Sequence, residues 1–140
     1  MATMTTKTLV VTIDAPFERV AADLGDPMTH PEWGSTFFSG PARASDRPGE
    51  VIAPVPMMGG DVRYKIDGDA TAGIFDLFLA PVGAEFGPPI PVRLITNGDG
   101  VDVLWTLSRQ SGMPDEAWEA GLASMADELV RLKNRHEDRG

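Results

Sequence analysis

The amino-acid sequence predicts an α+β fold, a curved antiparallel sheet of about six to seven strands wrapped around one long C-terminal helix, with two short helices after the first strand. Three observations carry this expectation. A β-branched opening segment is followed at once by a short amphipathic stretch. The middle of the chain then breaks into short alternating segments divided by Gly, Pro, Asn and Asp, and from Pro114 onward the apolar period becomes helical.

Lys7 to Ile13, KTLVVTI, is apolar and β-branched enough for a strand partly buried on both faces. In DAPFERVAADLGD, Phe17, Val20, Ala21 and Leu24 recur at helical spacing and place one apolar face on a helix from about Pro16 to Leu24. Pro16 suits its first position and Gly25 the position after its end. Asp26-Pro27 repeats the start signal for a second short helix, which Pro31 is expected to end.

Beyond Trp33, strand signals follow in STFFSG, EVIAPV, DVRYKID, GIFDLFLA, PVRLIT and VDVLWTLS. DGDATAG (67–73) and NGDG (97–100) join neighbouring signals over the short distances of antiparallel hairpins. PVGAEFGPPIP (81–91) reads as a longer loop, and Pro54 and Pro56 mark EVIAPVP as an edge or bulged strand. Alternation groups Val62, Tyr64 and Ile66 on one face against Arg63, Lys65 and Asp67 on the other, and groups Val101, Val103, Trp105 and Leu107 likewise.

The last helix is expected from Pro114 to near Arg135, with Trp118, Leu122, Met125, Leu129 and Leu132 as its buried stripe and HEDRG as a frayed tail. Asp115, Glu116 and Glu119 open it and Arg131, Lys133 and Arg135 close it, both favourable to the helix dipole.

The totals narrow the function. At 140 residues the chain is read as one domain, 1–140. It has no cysteine, which excludes disulfides and thiolate catalysis. The first residues lack the length and apolarity of a signal or membrane segment, so a cytoplasmic protein with no membrane insertion is expected. A formal charge of −9 repels phosphate backbones, and no nucleic-acid partner is expected.

VTIDAPFERVAADLGDPMTHPEW resembles the opening of the START-like, or SRPBCC, superfamily, through Ala15-Pro16, Asp26-Pro27 and Pro31-Glu32-Trp33. DGVDVLWTLSR followed by EAWEAGLASMADELVRLKNR is similar to the last strand and gripping helix of that superfamily. The resemblance implies a helix-grip fold with a cavity between sheet and long helix. It does not imply one activity, since members include carriers, polyketide cyclase/dehydrase-type enzymes, hydrolases and co-chaperone activators.

Candidate chemistry is sparse. Asp26, His30 and Glu32 could supply metal ligands, but no HExxH or paired-His spacing supports them; Asp26 reads as a cap, Trp33 as a packing plug, and no metal is expected. DGDATAG fails as a calcium loop, with Ala72 at its sixth place and Phe78 at its twelfth. NGDG lies between strands rather than before a helix, no P-loop or GxSxG occurs, and no cofactor is expected.

What remains is aromatic and sulfur-rich. Trp33, Phe37, Met58, Tyr64, Phe75, Phe78, Trp105, Trp118, Leu122 and Met125 are the residues expected to line a hydrophobic cavity, because Met and aromatic walls adapt to apolar guests. Tyr64, the only tyrosine, and His30 are the two candidates for proton transfer near it. Asp76 is expected to face solvent, as are Arg63, Lys65 and Arg93.

The preferred expectation is thus binding of a small hydrophobic molecule between sheet and C-terminal helix. The alternative is a polyketide cyclase/dehydrase-like enzyme using Tyr64 and His30. A third is a protein-interaction module that uses its acidic surface, or an exposed edge such as EVIAPVP, to contact another protein or a second copy of itself as a homodimer.

Overall fold

The computed structural model describes residues 3–138. Its strands are β1 (Thr6–Ile13), β2 (Arg43–Ala44), β3 (Val51–Val55), β4 (Gly60–Asp69), β5 (Ile74–Pro81), β6 (Ile90–Asn97) and β7 (Gly100–Ser108). The helices are α1 (Phe17–Leu24), α2 (His30–Trp33) and α3 (Asp115–Glu137). All seven strands form one antiparallel sheet in the order β1-β7-β6-β5-β4-β3-β2. The sheet curves around α3, which packs chiefly on β1 and also meets β7 and α2.

The order follows from the connections. Hairpins of consecutive strands build β2 through β7 as a meander, and β1 closes on β7 with Ile13 opposite Val101 and Leu9 opposite Trp105. At the β4–β5 turn the Asp69 carboxylate accepts the N–H groups of Thr71 and Ala72, which makes DGDATAG a capped hairpin turn. Gly73 in that turn has φ +72, and a side chain there would collide with the Leu94 carbonyl oxygen of β6, so only glycine lets the turn lie against its neighbour.

Alternation then selects the buried face. Ile13, Val62, Tyr64, Phe75, Val92, Leu94, Val101 and Val103 are buried on the concave side, joined by Val20 and Leu24 of α1 and Leu129 and Leu132 of α3. β1 obeys the same rule, with Val10 57% exposed, so it is buried on one face rather than two. Its outer threonines bond across to β7, Thr8 to Thr106 and Thr12 to Asp102.

Four local expectations are corrected. STFFSG forms turns, not a strand, because the backbone N–H groups of Phe37 and Phe38 bond back to the Gly34 carbonyl. Pro31 opens α2 instead of ending it, since the first helical turn needs no N–H from that position. The EVIAPVP edge is partly covered, by β2 at Val51 and Ile52 and by the Ser39 N–H at the Pro54 carbonyl.

The expected frayed tail is helical through Glu137, with Arg139 and Gly140 outside the described residues. His136 is 1% exposed. Lys133 donates to the Thr12 carbonyl at 2.7 Å, Glu137 accepts the Asp14 N–H at 2.9 Å, and Arg19 donates to the His136 carbonyl at 2.6 Å. These bonds fasten the last turn to the end of β1 and to α1.

The outer face is less solvated than alternation implies. The loop after β5 folds back so that the Phe86 ring meets Phe78 at 5.8 Å between centroids and the Arg63 guanidinium at 4.0 Å. Arg63 also holds Glu50 through two bonds of 3.1 and 3.2 Å, and Lys65 lies over Phe78. Asp76 stands on this face as expected, paired with Arg93 at 2.9 Å.

Candidate functional site

A cavity of about 300 Å³ lies between the sheet and α3. Its floor is Leu77 and Leu79 of β5, Ile90 of β6, and Trp105 and Leu107 of β7. Phe37, Met57, Met58 and Met113 form the sides, and Met57 is exposed. Other hollows are wider, among them one of about 560 Å³ beside Arg109 and one of about 490 Å³ beside Arg47 and Arg63, but loop residues line most of both. Only an apolar recess with a few polar groups has the make-up of a small-molecule site, and the cavity under α3 has it.

The roof explains why space is left there. Ala117, Gly121, Ser124 and Glu128 succeed one another at spacings of four, three and four, so they share one flank of α3. Three of them are small. Trp118 and Leu122 each sit one residue on, about 100° around the helix, and do not line the cavity. Leu129 and Leu132 pack into the core while the small flank roofs the recess; Met125 lies between the two and touches both core and cavity.

One polar cluster closes the inner wall. In α2, His30 and Trp33 are three residues apart and face the same way, and their rings stack at 3.9 Å with an interplanar angle of 8°. The edges of Phe38, Tyr64 and Trp105 surround the imidazole. His30 Nδ1 lies 2.5 Å from the Tyr64 hydroxyl and Nε2 lies 2.9 Å from Glu128 Oε1. All three residues are buried.

Burial, and secondarily the negative Glu128, push the Tyr64 hydroxyl well above its ordinary titration range, so it stays a phenol. Its O–H then donates to Nδ1, and the Nε2–H donates to the carboxylate, which fixes the imidazole tautomer by its partners. Beside this relay, the Ser124 hydroxyl and the Trp105 indole N–H are buried without a hydrogen-bond partner among the described residues. No group of three or more His, Asp or Glu side chains among the described residues is arranged to hold a metal ion.

The residues expected to line the cavity separate into three groups. Phe37, Met58, Trp105 and Met125 line it, and so does His30. Tyr64 and Trp33 stand behind His30 as its buried partners, not at the surface of the recess, and Phe75 packs near the Gly25 corner at the end of α1. Phe78, Trp118 and Leu122 depart from the expectation. Phe78 alternates with Leu77 and Leu79 and so falls on the outer face, while the two helix residues sit around the helix from the cavity.

Glu128 was missed because a lone acid on a long helix reads as surface. Its phase was the available signal, for it lies three residues after Met125 and four before Leu132, within the buried sector.

A second buried cluster ties the helices together away from the cavity. The Asp23 carboxylate meets His136 Nε2 at 2.9 Å and Arg135 Nε at 2.7 Å. Desolvation pushes Asp23 up, but hydrogen bonding from His136, Thr29 and Arg135, with the Arg135 charge, outweighs it and holds its pKa at about 2. Arg135 also reaches Glu32, which anchors α2 to α3.

Sheet, short helices and gripping α3 together make a START-like helix-grip fold. Among solved structures, the chain is similar to the Zhui aromatase/cyclase of Streptomyces sp. R1128, with TM-score 0.68, 18% identity, and coverage of 97% of this chain and 95% of that one. It is similar to a START superfamily protein from Mycobacterium smegmatis, with TM-score 0.66, 14% identity, and coverage of 99% and 100%. It is similar as well to the Aha1 dimer of Colwellia psychrerythraea, with TM-score 0.70, 18% identity, and coverage of 96% and 97%. At these identities the likeness is one of fold. No family model and no curated protein sequence matches the chain. Among the described residues, no helix is long and apolar enough to cross a membrane.

Proposed function

We propose that this protein binds one small, mostly apolar molecule in the cavity between its sheet and α3, acting in the cytoplasm. The observation that carries the reading is the roof of Ala117, Gly121 and Ser124 over a floor of Leu77, Leu79, Ile90 and Leu107, which keeps an apolar recess under a helix that elsewhere packs tightly. Burying about 300 Å² of apolar ligand surface is worth roughly 7 kcal/mol before association costs, which places affinity on the micromolar scale. Titrating neutral aromatic hydrocarbons while following tryptophan fluorescence tests it, with native mass spectrometry counting the bound molecules. A one-to-one complex is expected; a protein that takes up no such probe by either method removes the reading.

The Tyr64–His30–Glu128 relay favours a second reading, an acid–base enzyme of the kind the aromatase/cyclase neighbour represents. Glu128 and His30 both line the cavity, so a proton taken from a bound substrate by the Glu128 carboxylate would be shared along its buried hydrogen bond to His30. Turnover of a reactive poly-β-ketone that fell at least 100-fold in His30→Ala, with binding retained, would establish the enzyme over the carrier.

A further inference from the structure

We infer that the ligand of this cavity is a protonated amine whose positive charge pairs with Glu128; the inference rests on the proposed function. Glu128 lines the recess yet is 2% exposed, and its one hydrogen bond among the described residues, at Oε1, comes from His30. The other oxygen, Oε2, accepts no hydrogen bond from them and is not one of their fully enclosed unpartnered atoms. It therefore keeps a surface, and the open space that Glu128 lines is the recess.

This carboxylate has no counter-charge. No Lys or Arg lines the recess, and the basic side chain paired with Glu128 is His30, a neutral ring that donates from Nε2 while the Tyr64 phenol donates to its Nδ1. A buried carboxylate stripped of water and left without a cation is costly to hold, so a cation brought by the ligand gains more there than at an exposed acid. A protonated tertiary amine supplies that cation with one N–H for the one free oxygen, and its alkyl groups suit the floor of Leu77, Leu79, Ile90 and Leu107. Phe37 and Trp105 line the same recess, and aromatic walls attract a cation. A carboxylate guest would meet Glu128 as a like charge.

Three probes on one skeleton test this by equilibrium dialysis at pH 7: N,N-dimethyl-2-naphthylmethylammonium, its neutral isostere 2-isobutylnaphthalene, and 2-naphthylacetate. The ammonium is expected to bind one-to-one and at least about ten-fold more tightly than either of the others. Glu128→Gln keeps the shape and removes the charge, so it should erase the advantage of the ammonium over the isostere. Because the chain carries a formal charge of −9, the series is repeated in about 0.5 M NaCl, which screens attraction at the surface and leaves a buried pair largely intact. The preference should persist there.

An isostere or naphthylacetate that binds as tightly as the ammonium, an advantage that vanishes in salt, or one that survives in Glu128→Gln overturns the inference while leaving an apolar cavity in place. So does a nitrogen NMR spectrum showing His30 already an imidazolium beside Glu128 at pH 7. The salt series and the spectrum need no variant, so they decide even if Glu128→Gln fails to fold. If none of the three probes binds, the cavity reading and the inference fall together.

Discussion

His30 Nε2 and Glu128 Oε1 stand 2.9 Å apart across 98 residues of chain, both side chains buried under α3. The pair joins the short helix that follows α1 to the long helix that closes the sheet, and the Tyr64 hydroxyl on the other ring nitrogen extends it to β4. Breaking one partner strands the other in a place water reaches poorly. Glu128→Ala is expected to cost about 3 kcal/mol in urea unfolding, and Glu128→Gln clearly less because an amide oxygen still accepts from the imidazole. Equal losses in the two variants would mean that the hydrogen bond to His30 is not what matters.

Gly34 guards the same contact. A Cβ at this position would lie 2.6 Å from Glu128 Oε1 and 2.7 Å from His30 Cδ2, and the φ of −92 shows that backbone strain is not the reason for glycine. Gly34→Ala should cost about 1–3 kcal/mol and shift the imidazole proton and nitrogen resonances of His30 in NMR. An alanine variant with unchanged stability and spectrum would contradict the geometry.

Small roof residues predict opposite outcomes from two substitutions at one site. At Gly121 an added Cβ meets only Leu107 Cδ2 at 3.7 Å, an ordinary contact, so Gly121→Ala should raise stability by about 0.5–1 kcal/mol through helix propensity. Gly121→Phe should fill the recess and abolish uptake of apolar probes while circular dichroism stays that of the folded protein. Retained binding in the phenylalanine variant would place the ligand elsewhere.

Acid should expose the Asp23 cluster. The carboxylate is depressed from an ordinary 3.8 to about 2, so its contribution is present above the unfolded value and is lost as pH falls through the folded one. Allowing for solvent screening, about 1–2 kcal/mol should disappear between roughly pH 4 and pH 2. The stability difference between the wild type and Asp23→Asn, measured by urea unfolding, should shrink as the pH falls across that window. A difference independent of pH down to 2 would remove the assigned cause.

Much of the fold was legible because its signals are local. Hairpin turns, β5 through β7, α1 and the start of α3 follow from residues within a few positions of one another, and the likeness to helix-grip openings rested on short motifs of the same kind. STFFSG misled because its β-favouring aromatics are used in turns closed onto Gly34, a choice made by what packs around Phe38. The last helical turn looked polar enough to fray, yet His136 is held by Asp23 from α1. For the site, the aromatic and methionine residues predicted a recess, Tyr64 was recognisable as a hydroxyl needing a partner, and His30 as a candidate proton donor or acceptor near the cavity. Glu128 and the small flank of α3 were not.

By itself, then, the sequence determined the order of elements, the antiparallel connections, the faces of the regular strands and the amphipathic closing helix, because periods of two and 3.6 residues are written into neighbouring positions. Tertiary structure alone decided which flank of that helix covers the cavity, that the loop after β5 seals Phe78 and Arg63 on the outside, and that His30, Tyr64 and Glu128 meet. Each of these depends on how far one element is rotated or folded against another. That rotation is set by packing among residues far apart in the chain, where volume and burial act and no short spacing records the outcome.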